Sequence, residues 1–242
     1  MAGMGYREGA VMLKRYDTFI FDWDGTLSKS VRVMTQKFDP YWKYKKARYT
    51  GKRGRKLSGD EIEATVIRRH GSSGFERGLL TRLADISLLF IKPKLYADVK
   101  PMLTLLRSRH KKVALLTNGA SYRVLREIAH LGMGNYFDVI ISAQDIKALK
   151  PNPAGLEATL TALKASRTRT IYFGDTVDDM MMARRAKVDS CAVSEGLDKR
   201  ELLEAAHPNY IFTNISELKK ALLGKKTLKK RIREERHHHA HA

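Results

Sequence analysis

Phe19-Ile20-Phe21-Asp22-Trp23-Asp24-Gly25-Thr26-Leu27 is the stretch on which the reading of this chain turns. An apolar run rich in β-formers, Tyr16 to Phe21, delivers two carboxylates one residue apart and stops at Gly25, the pattern of a buried strand ending in an exposed turn. Alternation along an extended chain points Asp22 and Asp24 to one side at the carboxyl end of that strand, where open α/β sheets bind ligands. Two unshielded carboxylates so close repel each other, so a hard divalent cation such as Mg2+ is expected with them, offering a place for phosphate oxygens. The plainer alternative is a strand followed by an acidic Asx-type turn.

Working outward, the residues just after this stretch break the α/β pattern. From about residue 30 to 92 the sequence reads as an all-helical insert, with a capping box at Ser58 and Glu61 and an apolar stripe Phe75, Leu79, Leu83, Ile86, Phe90 at helical spacing. Pro93 marks the return. A helix from Val99 to Ser108 leads to the strand 112–117, a helix to about Leu131, the strand 137–142, a helix through Leu156, Leu160 and Leu163, and the strand 170–173. A short Met/Ala-rich helix follows, with two further short strands around Cys191 and Tyr210-Ile211-Phe212. Such alternation predicts an α/β fold: a Rossmann-like, doubly wound parallel sheet with helices on both faces, interrupted by the helical insert. The core then comprises residues 1–29 and 93–224, and 225–242 is a basic tail ending in Arg236-His237-His238-His239-Ala240-His241-Ala242, which reads as a tag remnant.

The chain of 242 residues carries a formal charge of +20, concentrated in two places. The span Lys29 to Ile91 has a local net of +9 and Lys225 to Arg236 a net of +5. Residues 43–56 hold eight cations and no acid among Tyr44 and Tyr49, which reads either as a solvated loop or as a surface for phosphates and stacked bases. No stretch has the unbroken apolar length of a membrane span, and the start lacks the order of a signal peptide, so a cytoplasmic protein is expected. Few Gln and Asn beside many Lys, Arg and Glu match a heat-adapted composition. Cys191 sits in an apolar run and reads as a buried, inert thiol. His70, His110, His130 and His207 show no ligand spacing and receive no role.

Polar residues collect at successive strand ends: Asp22 and Asp24, Thr117 and Asn118, then Asp175 and Asp179, with Lys150 before Pro151. In a parallel sheet those ends share one edge, so distant segments converge on one pocket. Asp22, Asp24, Asp175 and Asp179 suit Mg2+, while Thr117, Asn118 with nearby backbone N–H groups, and Lys150 suit the oxygens of a phosphoryl group. Taken singly, Thr117-Asn118-Gly119 reads as an ordinary turn, Lys150 as a surface lysine and Asp178-Asp179 as a helix cap. Their common position at strand ends is what those readings leave unexplained.

These motifs closely resemble the haloacid dehalogenase superfamily over about Tyr16 to Leu223. Asp22-Trp23-Asp24-Gly25-Thr26 matches its DxDGT motif, Thr117 its second, Lys150-Pro151 its third, and Gly174-Asp175 with Asp179 its GDxxxD motif. The resemblance implies Asp22 as nucleophile, Asp24 as general acid/base, and Thr117 and Lys150 as phosphate holders. It implies Mg2+ held by Asp22, Asp175, Asp179 and the Asp24 main-chain carbonyl. The insert resembles a C1-type cap that closes over the site. Two positions depart from the family: Lys29-Ser30 stands where many relatives have Asp-Ser, and Lys187 where a Gly is usual. Retention of Asp24 separates the chain from true dehalogenases. The expected function is a Mg2+-dependent phosphatase acting on a small anionic phosphomonoester through an aspartyl phosphate, in the manner of phosphoglycolate phosphatases. A phosphomutase of the β-phosphoglucomutase type, or a nucleic-acid or polyanion binder using the basic insert and tail, are the alternatives. Oligomeric state is not readable.

Overall fold

A computed structural model describes residues 12, 14–32, 86 and 88–224. The interior of the expected insert, with its Ser58–Glu61 capping box and cationic run 43–56, and the tail from residue 225 lie outside the described residues. The described core runs β1 (Thr18–Phe21), α1 (Val99–Ser108), β2 (Lys112–Leu116), α2 (Ser121–His130), β3 (Val139–Ile141), α3 (Ala154–Leu163), β4 (Thr170–Gly174), α4 (Val177–Arg185), β5 (Asp189–Val193), α5 (Arg200–Ala205), β6 (Tyr210–Phe212) and α6 (Ile215–Leu222). All six strands are parallel, in the order β3-β2-β1-β4-β5-β6. The α/β expectation holds. The winding reverses beside β1, because the chain builds β2 and β3 on one flank and β4 to β6 on the other. Such a switch point opens a crevice at the carboxyl ends of the strands.

Alternation along each strand supplies both cores. Phe19, Phe21, Val113, Leu115, Ile171 and Phe173 point to one face, under Met102, Leu103 and Leu106 of α1 and Leu218 and Leu222 of α6. Ile20, Ala114, Leu116 and Tyr172 point to the other, under Leu156, Leu160 and Leu163 of α3 and Met182 and Ala183 of α4. Val99, Met102, Leu103 and Leu106 recur at i, i+3, i+4, i+7, which is why α1 lays one side on the sheet. Across the first face the Phe21 and Phe173 rings stack at 4.6 Å and Phe19 and Phe173 at 5.9 Å. Burying each such side chain contributes about 1.5–3 kcal/mol.

Two helices, α5 and α6, are absent from the expectation above, although Ile215, Leu218 and Leu222 of α6 recur at i, i+3, i+7. The first has only six residues, and the second is announced by its cap, where Asn214 Oδ1 accepts from the Glu217 N–H at 2.8 Å and Glu217 Oε2 from the Thr213 N–H at 2.7 Å. Of the Phe75–Phe90 stripe only Ile86 and Phe90 are described, and both face solvent, at 47% and 87% exposure. Phe90 stands beyond the last helical turn, so its position in the stripe does not carry it into a core. Where the insert leaves and rejoins the core the chain runs side by side. Lys29 N–H donates to the Lys94 carbonyl at 2.7 Å, Tyr96 N–H to Leu27 at 3.0 Å, and Ser28 bridges Leu95. Among the described residues no helix is long and apolar enough to cross a membrane.

Candidate active site

The β1–β4 pairing continues one residue past β1, the Asp22 N–H donating to the Phe173 carbonyl at 2.8 Å. This sets Asp22 beside the end of β4, from which Asp175 follows directly. From there Thr176 caps α4: its hydroxyl accepts from the Asp179 N–H while Asp179 Oδ2 accepts from the Thr176 N–H at 3.0 Å and hydroxyl at 2.6 Å. The N-cap is thus Thr176 rather than Asp178, and Asp179 is a first-turn acid whose carboxylate closes the capping box while its Oδ1 accepts from Lys150. Asp22, Asp175 and Asp179 each offer an oxygen within 4.8 Å of the others, and all three are buried.

Lys150, only 4% exposed, is not the surface lysine of the plainer reading. Its Nζ donates to Asp22 Oδ1 at 2.6 Å, to Asp179 Oδ1 at 2.9 Å and to the Tyr172 hydroxyl at 2.6 Å. Asn118 holds the Lys150 backbone from both sides, accepting its N–H at 3.0 Å and donating to its carbonyl at 3.4 Å. The Asn118 side chain thus steadies Lys150 rather than opening on the cleft. Thr117 is buried, and its Oγ1 accepts from the Gly119 N–H at 3.0 Å, the turn contact the plainer reading expected.

Asp175 is fully enclosed. It accepts from the Thr26 hydroxyl at 3.0 Å and the Leu197 N–H at 2.6 Å. Two glycines make room for it: a Cβ on Gly25, whose φ is +87, would stand 2.1 Å from Asp175 Oδ2, and one on Gly196 would stand 2.2 Å from its Cβ. Behind Asp175, buried Asp198 receives the Val177 N–H at 2.8 Å, tying the loop after β5 to the start of α4. Sequence reading passed over Asp198 and Tyr172.

Asp24 departs from the simple alternation. The chain turns between Trp23 and Ser28, so its carboxylate leaves the three-acid group and meets Arg123 of α2, Nη1 donating to Oδ1 at 3.0 Å and Nη2 to Oδ2. Arg123 is 1% exposed and also donates to Glu127 at 3.0 Å. Glu127 Oε2 in turn accepts from Trp23 Nε1 at 2.9 Å, with the Ser28 and Ser30 hydroxyls at 3.2 and 3.1 Å. Nothing in the sequence reading found Arg123 or Glu127, since an Arg–Glu pair four residues apart on a helix ordinarily faces solvent. Their offset beside apolar Val124 and Ile128 was the available signal: all four lie on the buried face of α2.

The electrostatics follow from the burial. Loss of water pushes the Asp22 carboxyl up to about 7, with Asp179 adding to the shift and Lys150 opposing it. Burial works against the charge on Asp179 too, but Lys150 and the hydrogen bonds from Thr176, Lys150 and Tyr172 outweigh it and lower its pKa. Burial likewise opposes the Lys150 charge and is overcome by Asp179 and Asp22, so the ammonium is held above its ordinary value. The Tyr172 hydroxyl is raised well above its usual range by burial and the nearby carboxylates, and it stays a donor.

Among the described residues, three buried carboxylates lie close to one buried ammonium, an excess of negative charge in a dry interior. Such a surplus is costly unless another cation offsets it. The all-oxygen donor set matches a hard divalent ion of the Mg2+ kind and suits neither a soft metal nor a haem. The Asp22 Oδ2 has no hydrogen-bond partner among the described residues, whereas every enclosed side-chain polar atom there has one. That oxygen therefore opens on the cleft.

The comparisons with known proteins agree with this geometry. Residues 19–193 match the family model described as haloacid dehalogenase-like hydrolase. The chain is similar to pyrophosphatase PpaX of Halalkalibacterium halodurans, 26% identical over 84% of this chain and 94% of that protein. It is 27% identical to the phosphoglycolate phosphatase of Colwellia psychrerythraea over 54% of this chain, and spans only 58% of that enzyme's length. Its fold resembles the solved structure of a phosphoglycolate phosphatase homologue from Lactobacillus delbrueckii, with TM-score 0.65 and 20% identity over 87% of this chain and all of that one. The strand order, the converging acids and the matched span together make the chain a member of the haloacid dehalogenase-like hydrolase family.

Proposed function

We propose that this protein is a Mg2+-dependent phosphatase that hydrolyses a small anionic phosphate ester through a phosphorylated Asp22. The observation that carries the reading is the Asp22 carboxylate, fixed through Oδ1 by Lys150 and open to the cleft through Oδ2, inside a group of three buried acids. Asp22, Asp175 and Asp179, with the Asp24 main-chain carbonyl, would hold the cation. When bound, that ion neutralises the acids, favours the ionised Asp22 and offsets charge on the phosphoryl oxygens.

Asp22 Oδ2 then forms a bond to phosphorus as the bond to the leaving oxygen breaks, and Asp24 supplies the proton that oxygen needs. Asp24 next takes a proton from water, whose oxygen attacks phosphorus, releasing inorganic phosphate and restoring the Asp22 carboxylate. Lys150 and Thr117 would hold the phosphoryl oxygens. The substrate-named relatives, a phosphoglycolate phosphatase and a pyrophosphatase, support a small, highly charged substrate. The buried, unreactive Cys191 is compatible with the cytoplasm as the working compartment.

The test is release of phosphate from p-nitrophenyl phosphate, phosphoglycolate and inorganic pyrophosphate, each with Mg2+ and with EDTA. Turnover that stops with EDTA and returns with Mg2+ is expected. Turnover undiminished by EDTA, or none on any of a wider phosphate-ester panel, would remove the reading.

A further inference from the structure

Arg123 is placed where an arginine needs a reason. Its guanidinium grips Asp24 with two nitrogens, the planar fork that matches a carboxylate, and shares one of them with Glu127. Its side chain is 1% exposed, Glu127 is 1% and Asp24 16%. The fork occupies space that only a glycine leaves: a Cβ on Gly119 would stand 2.3 Å from Arg123 Nη2 and 3.1 Å from Asp24 Oδ2. A buried ion network of this kind is weak evidence for stability, since apolar residues of similar size often serve as well. What it does supply is one orientation for one carboxylate.

Glu127 extends the arrangement. Its second oxygen gathers Trp23, between the two acids of β1's end, and Ser28 and Ser30, on the segment leading toward the expected insert. Asp24 is thus braced through Arg123 and Glu127 against both the turn that bears it and the stem of the insert. Without Arg123, nothing among the described residues would hold the Asp24 carboxylate away from Asp22, Asp175 and Asp179.

We propose that Arg123, braced by Glu127, is the positioning residue of Asp24, fixing its carboxylate apart from the three-acid group so that it serves the leaving oxygen. The inference rests on the acid/base role given to Asp24 above. Its signature is dependence on the leaving group: p-nitrophenolate departs without a proton, whereas an alkoxide needs one, so a misplaced Asp24 harms alkyl phosphates most.

The experiment compares an alkyl phosphate with p-nitrophenyl phosphate in the full-length protein for Asp24→Asn, Arg123→Lys and the double variant Arg123→Met/Glu127→Gln. The double variant removes the Arg123 and Glu127 charges together, leaving among these three only the Asp24 carboxylate, which is 16% exposed, and keeps an acceptor for Trp23. Thermal unfolding and calorimetric Mg2+ binding check that fold and metal site persist. The expected result is a loss of kcat/KM, which reports the step in which the leaving oxygen departs, about ten- to hundredfold larger for the alkyl ester in the double variant. Arg123→Lys should fall between it and the parent protein, and adding Asp24→Asn to the double variant should cost little more. Equal losses on both esters in the Arg123 variants, while Asp24→Asn discriminates between them, would overturn the positioning role and spare the mechanism. An Asp24→Asn variant that does not discriminate would instead overturn the acid/base role on which the inference stands.

Discussion

The two ends of the same sheet handle charge in opposite ways. At the carboxyl ends Asp22, Asp175 and Asp179 are enclosed with Lys150, and Asp24 and Glu127 with Arg123. At the amino ends the charges are paired on the surface: Arg15 with Asp189 at 2.9 Å, Arg169 and Lys111 with Asp17, and Arg107 with Asp138. Both ends hold ion pairs, yet their energetics differ. Water screens the lower pairs, whereas above each charge has lost its hydration and depends on a few fixed neighbours. An ion pair therefore speaks for function according to its burial, and among the described residues it is at the upper end that the charge surplus is buried.

The comparison breaks first at Asp22. Asp22→Asn should lower turnover on the order of 10^4-fold or more while far-ultraviolet circular dichroism stays unchanged, and near-normal hydrolysis would remove it as nucleophile. Lys150→Met comes next, with about a 10^2- to 10^3-fold loss of kcat. Breaking a buried pair leaves an uncompensated charge costing about 3–5 kcal/mol, so the metal-free variant should melt earlier. Mg2+ should then raise its melting temperature more than that of the parent protein; an equal rise would mean Lys150 does not share charge with the acids.

Gly25→Ala tests the packing behind the acids. The new methyl would displace Asp175 and strain a backbone at φ +87, so Mg2+ affinity measured by calorimetry should fall about 10- to 100-fold. Unchanged affinity would mean Asp175 is not held for a metal. The smallest effect belongs to the other end of the sheet. Arg107 and Asp138 are 40% and 33% exposed, and Arg107→Ala should cost less than about 1 kcal/mol in denaturant unfolding and leave kcat/KM unaltered. A loss comparable to that of Lys150→Met would erase the distinction between the two ends.

Much of the upper end is legible in the sequence, and the reason is local. Strands β1, β2 and β4 are short apolar runs whose last residues must leave the sheet, so Asp22, Thr117 and Asp175 announce themselves by position in the chain. The lysine before Pro151 and the acid in the first turn of α4 have the same local character. Residues whose meaning depends on a neighbour from another element were not readable. Tyr172 looked like one more β-former, and Arg123 and Glu127 like a solvent-facing helical pair. Lys187, where the resemblance implies a glycine, has a left-handed backbone at φ +55, the conformation that favours glycine.

The amino-acid sequence by itself determined the strand–helix alternation, the parallel sheet and the set of acids at its edge, because period-two and period-3.6 patterns and strand-end polarity are properties of contiguous residues. Only the tertiary structure decided which acids share a site. Pairing β1 between β2 and β4 brings Asp22 to Asp175, Asp179 and Lys150, while the turn after Trp23 swings Asp24 away to a buried arginine. Distances between segments over a hundred residues apart are set by how the sheet is ordered and how helices lie on it, and no local pattern encodes that order.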